Sequence, residues 1–151
     1  MMKYLRLCFL VAAPLCVAAC ASSSNSAASA AQANQTQLAA NSFKPLPGMA
    51  GLYIYQEGSL VRADNSHRIS LDGQDIGMLS SSSYVYQSLT PGSHVVKVET
   101  SQVTVSAEAG QNYFVKEKTN LDAGGQILNS TLSIVPSKIA IPKIQELESI
   151  E

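Results

Sequence analysis

A chain of 151 residues with ten Lys or Arg, eleven Asp or Glu and a formal charge of −1 is long enough for one ordinary domain. It holds no basic patch that would neutralise phosphates, which excludes a nucleic-acid partner. No run of about 18 apolar residues follows the N-terminal leader, so no spanning helix is expected there.

Lys3 and Arg6 form a charged start, and Leu7 to Ala19 an apolar stretch of signal-peptide length. It closes on Val17-Ala18-Ala19-Cys20. These residues resemble the bacterial lipobox, an aliphatic residue three before a cysteine with small residues between. The resemblance implies a lipoprotein signal peptide over 1–19, cleavage before Cys20 and acylation of Cys20, including palmitate-type chains. An ordinary secretory signal cut nearby, with Cys20 incidental, is the alternative. Cys8 and Cys16 fall in the leader, so a mature chain keeps one cysteine and forms no intrachain disulfide. Several acyl chains anchor firmly where one is marginal. Ala21 rather than Asp follows, which by the family sorting rule implies the outer membrane of a Gram-negative bacterium, facing the periplasm.

Positions 20–48 read as a lipidated cysteine and a disordered tether. Ala21 to Asn41 is Ser, Ala, Asn and Gln, without charge and almost without large apolar residues. Such a composition buries too little surface to offset the entropy of ordering. As a coil it reaches roughly 25 Å. An alanine-rich helix around Ala27–Ala40 is the alternative. Two prolines, Pro45 and Pro47, end the segment in extended backbone.

A folded domain is expected over 49–136. Gly51 to Gln56 is apolar on both faces, as in a strand covered on both sides. Glu57–Ser66 reads as a surface loop. His67–Leu71 alternates, and Asp72-Gly73 is a strong hairpin signal leading into Gln74–Leu79. Tyr84–Leu89 and His94–Glu99 flank Thr90-Pro91-Gly92-Ser93. Proline presets φ at one turn position and glycine accepts positive φ at the next, so these runs are expected to pair as the central hairpin. Gln102–Ala107, a turn at Glu108–Gln111 with Gly110, a strand Asn112–Glu117, a loop Asn120–Gln126 and a strand Ile127–Val135 complete the body.

The tail, 137–151, reads as a short helix with Pro142 in its first turn and Ile144 and Leu147 on one side. About seven short strands with turns between them predict an all-β, antiparallel β-sandwich.

Several motifs recur in order: Leu52-Tyr53-Ile54-Tyr55, Leu71-Asp72-Gly73-Gln74, Tyr84-Val85-Tyr86, Pro91-Gly92-Ser93-His94 and Gly110-Gln111-Asn112-Tyr113-Phe114-Val115. Together they resemble a bacterial lipoprotein family, domain of unknown function 2846, over about Gly51 to Val135. The Pro-Gly-x-His element also resembles PEGA-type surface domains, which implies an immunoglobulin- or prealbumin-like sandwich. The resemblance brings no reaction, cofactor or ligand.

No catalytic constellation stands out. The chain has two histidines, His67 and His94, and no Gly-x-Ser-x-Gly elbow. His94, just after a turn, is expected to bond a turn carbonyl or pack on a neighbouring tyrosine. Asp64, His67 and Asp72 lack diagnostic metal-ligand spacing, and no metal or cofactor is expected. Asp72, Gly73, Pro91, Gly92, Gly110 and Tyr113 read as turn-shaping residues. Tyr53 and Tyr55 share one strand face, Tyr84 and Tyr86 another. They serve either as cross-strand aromatic pairs or as an exposed ladder for a glycan such as peptidoglycan or lipopolysaccharide. The expected role is a non-enzymatic, outer-membrane-anchored interaction module with an envelope protein or glycan as partner; glycan binding through the tyrosines, and a hydrolase using either histidine, are the competing readings.

Overall fold

A computed structural model describes residues 23–58, 66–123 and 127–150. The leader and Cys20 lie outside them, as do most of the Glu57–Ser66 loop and Gly124-Gly125. The described residues form α1 (Ser23–Ser42), β1 (Ala50–Gln56), β2 (His67–Leu71), β3 (Gln74–Leu79), β4 (Ser83–Leu89), β5 (Gly92–Val98), β6 (Ser101–Ala107), β7 (Asn112–Leu121), β8 (Ile127–Ile134), α2 (Ser137–Ile144) and β9 (Glu148–Ile150). The strands make two sheets, ordered β8-β7-β1-β4-β9 and β3-β2-β5-β6. The β-sandwich is therefore present, and the two helices add a third layer.

β1 explains the layering. Every residue of it is buried. Leu52 and Ile54 point between the sheets, where they meet Ile69, Leu79, Val85, Leu89, Val96, Val98, Val105 and Val115. Tyr53 and Tyr55 point the other way, into a second core with Tyr84, Tyr86, Phe114, the α1 alanines Ala39 and Ala40, and Ala140 and Ile144 of α2. Strand period two thus sends aliphatic residues to one core and aromatic ones to the other.

The Asp72-Gly73 hairpin forms as expected. Asp72 has φ 52° and Gly73 φ 83°, the paired positive values of a type I′ turn, and Leu71 pairs with Gln74 across it. The expected central hairpin does not form. β4 pairs with β1 and β9, whereas β5 pairs with β2 and β6 in the opposite sheet. A type II turn needs φ near +80° at its glycine. Gly92 sits at 147°, so the chain crosses between sheets at Thr90–Pro91 instead of folding back. Val85 and Val96 then enter the inner core from opposite sheets. The hairpin partner of β5 is β6, through Glu99-Thr100, where Glu99 takes φ 50°.

A second crossing joins β6 to β7. Gly110 (φ 79°) donates its N–H to the Met49 carbonyl, and the Glu108 N–H is accepted by the Tyr113 hydroxyl at 3.1 Å. Both residues serve the turn read from sequence. This crossing sets β7 parallel to β1, and β9 also runs parallel to β4, so the five-stranded sheet is mixed rather than antiparallel.

Two terminal expectations change. The segment read as a tether is helical over Ser23–Ser42. Its end is a Schellman motif: Phe43 and Lys44 donate to the carbonyls of Ala40 and Ala39. Phe43 holds the left-handed position, φ 53°, where glycine is usual. Its ring stacks on Tyr53 at 5.1 Å, a contact that offsets the backbone cost. The C-terminal helix begins earlier than expected. Pro136 precedes it and Pro142 lies late within it, because Ala140 and Ile144, four apart, are the residues that reach the aromatic core. Leu147 packs at the margin, and the tail ends as strand β9. No helix among the described residues is long and apolar enough to cross a membrane.

Candidate functional site

The four candidate tyrosines come together on one face. Tyr53 lies opposite Tyr86 and Tyr55 opposite Tyr84 across the β1–β4 ladder. Their exposures are 0%, 8%, 0% and 6%, so the cross-strand aromatic pairs are what forms, and the alternative of an exposed ligand-binding ladder is overturned. α1, Phe43 and α2 cover the rings, since a sheet face this apolar must be buried. Tyr53 is the hub, 5.1 Å from both Phe43 and Phe114 and 4.8 Å from Tyr86. Its hydroxyl donates to the Ala40 carbonyl at 2.9 Å, satisfying an end carbonyl of α1. Burial, and then the neighbouring Tyr86 and Tyr84, push its pKa far up, so the proton needed for that bond stays in place.

Asp72, His94 and Thr90 make a clamp where β2, β4 and β5 converge. His94 Nδ1 lies 2.7 Å from Asp72 Oδ2, and its Nε2 lies 2.8 Å from the Thr90 carbonyl. Asp72 Oδ1 also accepts the Val95 N–H at 2.8 Å. The turn carbonyl expected for His94 is thus Thr90, and Asp72 does more than shape a turn. Carbonyl and carboxylate oxygens are both acceptors, so the arrangement is complete only when both ring nitrogens carry protons. The bond to Asp72 and then that to Thr90 raise the His94 pKa; the same histidine and the Val95 amide lower that of Asp72.

The sign of the pH effect follows. The raised His94 pKa adds stability that is complete below about pH 6.5 and is lost as pH rises through its folded value. The lowered Asp72 pKa adds stability that is complete above about pH 4 and is lost as pH falls through its folded value. His94→Ala should therefore cost about 1 kcal/mol at pH 5.5, a figure reduced for solvent screening of an exposed pair. The loss should shrink by pH 9, as urea titrations of both proteins at the two pH values would show.

The third centre was not read from sequence. His67, on β2, and Glu117, on β7, meet between the sheets at the loop end of the inner core, with Nδ1 2.5 Å from Oε1. The Glu117 side chain is fully buried and that of His67 is 8% exposed. Beside them the Gln56 amide donates to the Thr119 hydroxyl at 3.0 Å. Burial raises the Glu117 pKa, while its partner His67 opposes that shift. The signal lay in the alternation. His67 is in phase with the inward Ile69, and Glu117 with the inward Val115.

His67 and Asp72 stand at opposite ends of β2, and Asp64 lies outside the described residues. No three His, Cys, Asp or Glu among the described residues are placed to hold a metal. Asp75, on the same hairpin, is engaged by Arg68 and by the Gly77 N–H.

The family model described as protein of unknown function (DUF2846) matches residues 47–126, more than half the chain. The chain belongs to that family. In this DUF2846 domain the matched span holds β1 through β7, and with them the clamp and the buried His67–Glu117 pair. An uncharacterized protein of Haemophilus influenzae (strain ATCC 51907 / DSM 11121 / KW20 / Rd) is 28% identical over 106 residues. That alignment covers 66% of this chain and 62% of the relative, so it spans under two thirds of the relative's length. No solved structure matches.

Proposed function

We propose that this DUF2846 chain is a lipoprotein of the Gram-negative cell envelope that works by binding rather than by catalysis. In this reading Cys20 carries the lipid, the outer membrane holds it, and the sandwich faces the periplasm. The observation that carries the anchor is the run Val17-Ala18-Ala19-Cys20 after a charged and then apolar start. The position of α1 fits it. The helix begins three residues after Cys20 and, at 1.5 Å per residue, is about 30 Å long, with its far end fastened to the sandwich. Over Ser23–Ser42 the link between lipid and body is then a helix.

The non-catalytic part is supported by His94. Acceptors on both ring nitrogens leave no lone pair to take a proton from a nucleophile. Cys20→Ala tests the anchor. The variant should leave the outer-membrane fraction for the soluble periplasmic fraction, and the wild-type N-terminus should carry acyl mass. A variant that still fractionates with the outer membrane refutes it.

A further inference from the structure

β4 has an open edge, and two separate hydrogen bonds locate it. Gly51 on β1 donates its N–H to the Gln111 carbonyl, away from β4. In an extended strand the odd-numbered residues of β1 therefore address β7, and the even-numbered ones address β4. Their partners on β4 are Leu89, Gln87, Val85 and Ser83, so Tyr84, Tyr86 and Ser88 turn their amides to the far side. The Glu148 N–H, bonded to the Ser82 carbonyl, agrees with that phase. β9 covers β4 only as far as Val85 opposite Ile150. Beyond it, the Tyr86 carbonyl and the Ser88 N–H and carbonyl face a side on which no further strand lies among the described residues.

This edge lies beside a groove of about 270 Å³ between α1 and the sheet, lined by Ala33, Thr36, Gln37, Tyr86, Gln87 and the β9 end at Ser149-Ile150. No lining residue is charged.

We propose that the groove takes an extended, uncharged peptide segment of a partner protein, added to β4 as a strand in line with β9. Backbone groups at a strand edge are matched by another backbone. The uncharged lining rejects Lys, Arg, Asp and Glu side chains, which would enter without a counterion. This inference gives the binding role of the preceding section a place and a partner chemistry; it rests on that role but not on the lipid.

The test is amide hydrogen exchange of the full chain with an acetylated, amidated Ser-Val-Ser-Val-Ser-Val peptide as probe. Alone, Ser88 should exchange far faster than Tyr84, whose amide is covered by β9. Peptide at ten times its Kd should slow Ser88 about tenfold. The same peptide N-methylated at alternate residues should not. Ala33→Trp, on the exposed helix surface, should fill the groove and abolish protection while leaving the sheet intact. Protection by chitohexaose instead, protection that rises with protein concentration in the absence of peptide, equal protection by the N-methylated peptide, or none at millimolar peptide each overturns the proposal. None of these outcomes bears on Cys20, whose fractionation test stands apart.

Discussion

His67→Ala should destabilise the domain by about 3–5 kcal/mol at neutral pH. The size comes from Glu117. Its side chain is fully buried, and His67 Nδ1 is bonded to its carboxylate at 2.5 Å. Removing the imidazole leaves a carboxylate out of water with its partner gone. Burial already raises the Glu117 pKa, and His67 is the leading influence that holds it down. Without His67 it must climb further.

The linkage then has a defined sign. A carboxyl whose folded pKa lies above its unfolded value leaves stability complete below about pH 4.3, and lost as pH rises through the folded pKa. The deficit of His67→Ala should therefore be largest at neutral pH and shrink toward pH 4–5. Glu117→Gln should cost only about 1 kcal/mol, because the amide oxygen still accepts from His67 and no carboxylate is buried. His67→Ala combined with Glu117→Gln should be more stable than His67→Ala alone. Urea titrations of the four proteins from pH 4.5 to 8 form the double-mutant cycle that checks this. A loss under about 1 kcal/mol at pH 7, with no pH dependence, would mean that the pair is not coupled as its geometry requires.

Tyr53→Ala should cost about 3–5 kcal/mol, the range for deleting a fully buried aromatic side chain. Four rings, Phe43, Phe114, Tyr84 and Tyr86, would lose a neighbour. Tyr53→Phe separates packing from capping. It keeps the ring but removes the donor to the Ala40 carbonyl, and should cost about 1 kcal/mol. The expected signature is local. Amides in the last turns of α1 should exchange faster in Tyr53→Phe, while β1 and β7 stay protected. Equal loosening of α1 and the sheet would contradict a capping role, since the hydroxyl touches only the helix end.

α1 also shows how a weak local preference becomes structure. The segment is uncharged and carries almost no large apolar residue, so in isolation it is marginal as a helix. What orders its end lies elsewhere in the chain: the Tyr53 hydroxyl, the stacked Phe43 ring, and the Asn112 amide bonded to the Phe43 carbonyl at 2.6 Å. Nothing within Ala21–Asn41 announces those partners. The alanine-rich helix weighed as the alternative is the conformation found.

The residue pattern alone carried the local elements. Alternation placed β2 and β6, the doubly apolar run placed β1 between two layers, and Asp72-Gly73 required its I′ turn because both positions need positive φ. These are near-neighbour effects, complete within a few residues. Which strand lies beside which was decided only in the folded molecule. Thr90-Pro91-Gly92 suits a reverse turn equally well as a crossing between sheets, and the choice depends on whether β4 is held by β1 and β5 by β2, partners 25 or more residues distant. The same long-range pairing buries the tyrosines, joins His67 to a glutamate 50 residues away and leaves one edge of β4 open past β9. Contacts between distant segments are selected by the burial of whole faces, and that is a property of the assembled layers, not of any single stretch.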